Sequence, residues 1–325
     1  VSRRAPIAAA LVLALVSTSA LAGGAIWGGF TSKTPATNAN NKITAATDFV
    51  APTITETVIA KTTGGIAGTI RKGGTYYVYA NGADTGNPAS GVSTIKANVN
   101  SITSGQTAVT LSAGTFTVEG ETFTRRSASL TAGSTLAAGT ASYALTVTDA
   151  NANARTESGY TVAVDNTAPT GTDVQAVNGG ATVGLAEAGD KITFSFSKAI
   201  DPNSVLAAWT GASTPVVVHL NQATKDTVTI FNSTNLTQLP LGTLTLGATD
   251  YTTASITFGA SGTASTMVMS GNQIFVTLGT QSAAATTAAA TGTMSWTPSA
   301  TATDASGNPT STTAVNESGA ADKEF

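Results

Sequence analysis

Threonine constrains this chain more than any other residue. It supplies 61 of the 325 positions. A β-branched side chain is stiff at χ1 and suits a pleated, half-exposed surface. The hydrophobic fraction is 41% and the charged fraction 10%, so apolar material suffices for real cores and the chain does not read as disordered. The local pattern agrees. Tyr143, Leu145 and Val147 alternate with Ala144, Thr146 and Thr148, and Tyr160, Val162 and Val164 repeat the period. Ile192, Phe194 and Phe196 alternate with Thr193, Ser195 and Ser197. Thr75–Ala80 is aromatic and β-branched and runs into the turn dipeptide Asn81-Gly82, while Thr115–Glu119 and Thr122–Thr124 flank Gly120-Glu121 as a hairpin. Short strands at roughly 8–15-residue spacing, with Gly/Asn/Asp turns and no helical period, predict an all-β chain of antiparallel sandwiches. Ala283–Ala290, a low-complexity Ala/Thr run, is either a loop or one short helix.

Proline then divides the chain. Val50-Ala51-Pro52-Thr53 and Asp165-Asn166-Thr167-Ala168-Pro169-Thr170 each open a new set of strands. Proline cannot donate to a ladder and holds its predecessor extended. The expected organisation is a leader over 1–22, an arm or linker over 23–49, one sandwich over 50–166, an enlarged sandwich over 167–316 and a polar tail over 317–325. The excess length of the second sandwich falls within 232–272. Thr301-Ala302-Thr303-Asp304-Ala305-Ser306-Gly307-Asn308 reads as a closing hairpin, with Asp304 capping the turn and Gly307 able to take positive φ. Thr148-Asp149-Ala150-Asn151-Ala152-Asn153 is a degenerate copy in which Ala152 replaces the glycine. The Asp-Asn-Thr-Ala-Pro and Ala-Pro-Thr openings, the Ile192–Val205 strand with its Asp-Pro-Asn turn, and the Thr-Asp-x-x-Gly-Asn hairpin resemble tandem bacterial Ig-like domains of the S-layer type. That resemblance covers most of the chain after the leader and implies two Ig-like β-sandwiches.

The first residues read as an address. Arg3-Arg4 precede the apolar run Ala8–Val16, and Ala20-x-Ala22 offers a small-residue cleavage site before Gly23, the three-part pattern of a secretory signal. An uncleaved anchor continuing through Ala25-Ile26-Trp27 is the other reading. Cleavage would remove two arginines and no acid, making the exported part more acidic than the whole chain at −3. The chain has no cysteine, so thiol catalysis, disulfides and Cys-ligated zinc or iron–sulfur sites are excluded. Export without disulfides points to a Gram-positive bacterial surface protein. The segment Trp27-Gly28-Gly29-Phe30-Thr31 through Asn41-Lys42-Ile43-Thr44-Ala45-Ala46-Thr47-Asp48 resembles the region following the signal in camelysin/TasA-like secreted proteins, which implies a capacity for fibre formation. The polar tail gives no sign of a C-terminal anchor, and no membrane partner is expected of the mature form.

Few residues suggest chemistry. The mildly acidic balance argues against nucleic acid, which needs a basic stripe. His219, the one histidine, lies in Val216–Leu220 on the face opposite Val216, Val218 and Leu220, and no Gly-x-Ser-x-Gly elbow accompanies it. Glu119 and Glu121 share a hairpin turn, and no carboxylate pair reads as a glycosidase pair. No catalytic residues and no required cofactor are expected. Calcium is the one metal with a candidate site: Asp149, Asn151 and Asn153 have the spacing of the first ligands of a calcium loop, and Asp165 lies at the boundary between units. A loop built on hydrogen-bonded turns accounts for the same residues. Tyr76, Tyr77, Tyr79, Trp209 and Trp296 are either core residues or a sugar platform, and Tyr77 is read as lying opposite Tyr76 and Tyr79 only if the strand is regular. The expected function is that of a secreted or cell-surface structural or adhesion protein without catalysis, partnered by other cell-envelope proteins, glycans or copies of itself. The alternative is a carbohydrate- or ligand-binding module acting through Tyr/Trp loops.

Overall fold

The computed structural model describes residues 47–62, 64 and 66–325. The leader and all but the last three residues of the arm, with the segment that resembles camelysin/TasA-like proteins up to Ala46, lie outside the described residues. The described chain is nearly all β and divides after Val164 into two compact units, each with its own sheet and core.

The first unit comprises β1 (Thr53–Lys61), β2 (Thr69–Ile70), β3 (Thr75–Ala83), β4 (Val92–Asn98), β5 (Val109–Val118), β6 (Glu121–Ser127), β7 (Leu130–Thr131), β8 (Gly139–Asp149) and β9 (Ala154–Val164). Their hydrogen-bonded order is β1-β3-β6-β5-β4-β8-β9-β2, with β7 on β3. The pairs are antiparallel except β2 with β9. The path returns on itself, because Gly68, just before β2, donates to the Ile59 carbonyl of β1 at 2.8 Å. A barrel-like sandwich results. Alternation does what the pattern promised in β8, whose Tyr143, Leu145 and Val147 are buried. Each such burial is worth roughly 1.5–3 kcal/mol. In β3 the alternation corrects the tyrosine expectation. Tyr76 points into the main core with Val78 and Ala80, whereas Tyr77 and Tyr79 share the other face with Ala60, Val118 and Phe123. A strand's period of two leaves no other choice. The β5–β6 hairpin closes through Glu119 and Gly120, both at positive φ (50° and 91°), the mirror-image turn that matches strand twist.

The second unit comprises β10 (Gly171–Val177), β11 (Lys191–Phe196), one helical turn α1 (Pro202–Val205), β12 (Thr214–Asn221), β13 (Thr227–Asn232), β14 (Thr243–Thr245), β15 (Ile256–Phe258), β16 (Ser265–Ser270), β17 (Gln273–Thr277), β18 (Ser295–Thr297) and β19 (Val315–Asn316). The order is β10-β11-β17-β16-β12-β13-β14-β18-β19, with β15 on β12. The core centres on Trp296, which has no exposed surface, meets Phe194 and Phe196 at 5.1 and 5.0 Å, and donates from Nε1 to the Leu241 carbonyl at 2.6 Å. The additional length is spent on short strands and irregular crossings between β13 and β16. Ala283–Ala290 is an irregular loop rather than a helix, and its Ala288 is buried. Residues 317–325, read as a tail, fold onto this unit. Phe325 is buried against Tyr251, and its carbonyl accepts from Gly184 at 2.6 Å. One aromatic side chain at the end of a polar stretch anchors that segment, a signal too brief for a periodicity argument.

Candidate functional site

The two units share one local construction, a clamp that fastens the entry of each unit to its closing hairpin. Each entry carries Asp-x-x-Ala-Pro-Thr: Asp48 through Thr53 in the first unit and Asp165 through Thr170 in the second. The first aspartate folds the entry by accepting, at Oδ1, the N–H two residues on, from Val50 at 2.9 Å and from Thr167 at 2.9 Å. Pro52 and Pro169 are both buried. The strand that follows meets its partner at the same register position. Thr53 faces Ala83 at the end of β3, and Thr170 bonds Ser197 just past β11. Each entry strand then bulges two positions later, between Ile54 and Glu56 in β1 and between Gly171 and Asp173 in β10.

The closing hairpins match in the same detail. Asn153 donates its backbone N–H to Asp149 Oδ1 (2.8 Å) and its amide to Asp149 Oδ2 (2.7 Å) and to the Asp48 carbonyl (2.9 Å). Asn308 donates its N–H to Asp304 Oδ1 (2.8 Å) and its amide to Asp304 Oδ2 (3.0 Å) and to the Asp165 carbonyl (2.9 Å). The turn residue before each asparagine has positive φ, 68° at Ala152 and 86° at Gly307. A hydrogen bond to a charged acceptor contributes about 1.5–3 kcal/mol.

The third corner of the clamp separates the units. Because Thr53 corresponds to Thr170 and Ala83 to Ser197, the next residues, Asp84 and Lys198, occupy the same position with opposite charge. Lys198 Nζ donates to Asp165 Oδ2 at 2.5 Å, to Asp304 Oδ2 at 2.7 Å and to the Thr167 carbonyl at 2.6 Å. Burial alone would lower its pKa, but the bonds to Asp165 and Asp304 outweigh that and raise it. At Asp165 burial pulls upward and is outweighed by Lys198 and the Thr167 N–H, leaving the carboxyl below its ordinary value. In the first unit Asp84 instead accepts from the backbone N–H groups of Gly86 (3.1 Å), Ser90 (3.0 Å) and Gly91 (2.6 Å). Asp48 Oδ2 accepts from Ser90, through its N–H at 2.9 Å and its hydroxyl at 2.7 Å. The Val50 N–H and then the Ser90 hydroxyl hold the Asp48 carboxyl below its ordinary value. Asp48, Asp84 and Asp149 each bring one carboxylate oxygen within 4.8 Å of the other two. Asp48 and Asp149 are buried at 4% and 2% exposure. Gly86 permits the approach, since a Cβ there would stand 2.4 Å from Asp48 Oδ1.

Of the residues the calcium spacing singled out, Asp149 and Asn153 meet in this first clamp. Asn151 is exposed at the hairpin tip, and Asp165 belongs to the second unit's clamp, bonded to Lys198. Asp48 and Asp84 were not among them. The repeated Asp-x-x-Ala-Pro could have found Asp48, whereas Asp84 emerges only from the strand register.

Other candidates are occupied structurally. His219 stacks on Phe231 at 4.1 Å, and its Nε2 lies 2.5 Å from Asn235 Oδ1. Trp209 is 7% exposed and donates to the Ala212 carbonyl at 2.6 Å, so both it and Trp296 sit in the core. Arg126 lies over the rings of Tyr77 (4.4 Å) and Phe116 (4.3 Å) on the outer face of β3 and its neighbours. The first unit has shallow depressions of about 290 Å3, around Asn98, Ser101 and Tyr143, and about 260 Å3, around Val92, Ile95 and Arg125. A second acidic group, Glu317, Asp322 and Glu324, lies in the second unit. There burial, followed by the charges of Glu317 and Asp322, pushes the Glu324 carboxyl well above its ordinary value.

The fold and its duplicated clamp define a two-unit, all-β protein whose units share this local construction within sheets of different strand order. No protein-family model matches the chain, and no curated protein matches it in sequence.

Proposed function

We propose that this chain is a secreted or cell-surface structural protein, built from two Ig-like modules, that acts by presenting rigid surfaces to other envelope proteins, glycans or copies of itself. The observation that carries this reading is the repetition of the clamp. The feature built twice ties the start of each unit to its end by the same set of hydrogen bonds, which serves mechanical integrity rather than turnover. The leader-like 1–22 segment and the resemblance of the Asp-x-x-Ala-Pro openings to tandem bacterial Ig-like domains support export and a surface role. The low charge and the cysteine-free composition suit a module that keeps its shape outside the cell without redox chemistry.

Negative-stain electron microscopy of residues 23–325 at high concentration tests the reading. Fibres, sheets or regular end-to-end arrays support a structural role, and deletion of residues 27–48 then asks whether that segment drives assembly. Discrete particles at every concentration, together with specific retention on a glycan array, would overturn it in favour of a binding module.

A further inference from the structure

We propose that Asp48, Asp84 and Asp149 form a divalent-cation site in the first unit, suited to calcium, at the position where the second unit supplies a cation of its own as the Lys198 ammonium.

The second unit shows what this corner of the clamp holds. Asp165 and Asp304, the counterparts of Asp48 and Asp149, both ligate a positive charge, and the Thr167 carbonyl completes its contacts. The first unit keeps the two aspartates, the entry turn, the bulge and the bolting asparagine. It changes the residue that delivers the charge. Asp84 stands where Lys198 stands, so a corner carrying two negative charges and one positive charge becomes one carrying three negative charges. Among the described residues, no lysine or arginine is ion-paired to Asp48, Asp84 or Asp149. At an effective dielectric of about 20, two unit charges about 4 Å apart repel by roughly 4 kcal/mol. Backbone N–H groups and the Ser90 hydroxyl offset part of this, and they also aim the carboxylates, as outer-shell donors do at metal sites.

The ligand set selects the ion. Every donor is a hard oxygen, and two of the three carboxylates are buried. Oxygens around a single calcium lie roughly 2.3–2.6 Å from it, so their mutual distances extend to about 5 Å, which accommodates oxygens within 4.8 Å of each other. Magnesium, at about 2.0–2.1 Å, demands near-octahedral geometry and holds on to its waters, whereas calcium accepts carboxylate and carbonyl oxygens in flexible geometry. The carbonyl of Val50, the counterpart of Thr167, is the backbone ligand the equivalence assigns.

The experiment uses the full chain, stripped with chelator and then titrated with calcium chloride by calorimetry, with thermal unfolding in parallel. The native protein is expected to bind calcium at a site abolished by Asp84→Asn and to unfold at higher temperature when calcium is present. Asp84→Lys, which copies the second unit, is expected to fold, to lose calcium binding at this site and to unfold at a temperature independent of calcium. Lys198→Asp, the reverse exchange, is expected to add a calcium site. No binding by the native chain up to ~10 mM calcium, well above the ~10⁻⁴–10⁻³ M of extracellular calcium modules, would overturn the proposal. So would binding that Asp84→Asn leaves unchanged, and Glu317→Gln would then assign that binding to the second acidic group. If Asp84→Lys fails to fold, the near-isosteric Asp84→Asn decides alone. None of these outcomes depends on whether the protein assembles, so the cation site and the proposed surface role stand or fall separately.

Discussion

The two units solve the same junction with opposite charges at one position. Lys198 closes the second clamp with an ammonium covalently part of the chain, and Asp84 closes the first with a third carboxylate. The Asx-turn bond and the three bonds of the bolting asparagine agree between the units to within a few tenths of an ångström, and the bulge recurs at the same register position. A single strand-end residue therefore decides whether a unit carries its counter-charge or must acquire it. Local geometry can be copied faithfully while electrostatics diverge.

The comparison can be broken most severely at Lys198. Lys198→Met leaves Asp165 and the buried Asp304 facing each other without a cation. Breaking a buried pair costs about 3–5 kcal/mol. Lys198 is 26% exposed, so a loss near 3 kcal/mol is expected, read as a drop in the denaturant midpoint of the second unit. A loss below about 1 kcal/mol, the value of a surface ion pair, would show that the ammonium is dispensable and weaken its equivalence to a bound cation.

The bolting asparagines give the next largest effect. Asn153→Ala and Asn308→Ala each remove an amide that bridges a carboxylate and an entry carbonyl. About 2 kcal/mol is expected from each, in its own unit, at saturating calcium. Unequal losses, measured by chemical denaturation, would show that the two clamps bear different loads despite their matching geometry.

The turn residues sharpen the comparison further. Ala152 adopts a φ of 68° where the second unit has glycine at 86°. A left-handed conformation costs an L-residue roughly 1–2 kcal/mol. Ala152→Gly is expected to stabilise the first unit by about 1 kcal/mol, and Gly307→Ala to destabilise the second by a similar amount. Thermal unfolding with both variants reports the signs directly.

The smallest effect is at acid pH. The Asp165 carboxyl is held below its unfolded value of 3.8, so its stabilising contribution is complete above that pH and is lost as pH falls through the lowered folded value. Asp165→Asn is therefore expected to cost stability at neutral pH, with the gap from the native chain closing below pH 3.8. Side-chain exposure of 39% keeps the gap small. A gap that widens in acid would reverse the assigned sign.

Much of the architecture was legible because alternation is a local property. Tyr143, Leu145 and Val147 announce a face of β8 without reference to any other strand, and the Ala-Pro-Thr openings mark where a ladder must begin anew. The closing hairpins were legible too, down to the alanine that replaces glycine at position 152. The tyrosines of β3 were misplaced because Tyr77 and Tyr79, two positions apart, share a face in any regular strand and Tyr76 takes the other. Phe325 was missed because a lone apolar residue carries no period. The candidate site was half legible. Asp149 and Asn153 lie in one turn and share a spacing that can be read. Asp84 joins them only through the pairing of β1 with β3 and of β4 with β8, and register is set by tertiary packing.

The amide bolt also bears on the order in which the chain can assemble. Asn153 reaches back 105 residues to the Asp48 carbonyl, and Asn308 reaches back 143 to that of Asp165. A ribosome releases the entry segment long before the asparagine exists, and contacts so distant along the chain form slowly because a large loop must close first. Each bolt is therefore a completion signal. It cannot engage on a truncated unit, so a nascent or prematurely terminated module holds its Asp-x-x-Ala-Pro segment only by the earlier contacts, Asp48 to Ser90 or Asp165 to Lys198, until the closing hairpin has been made.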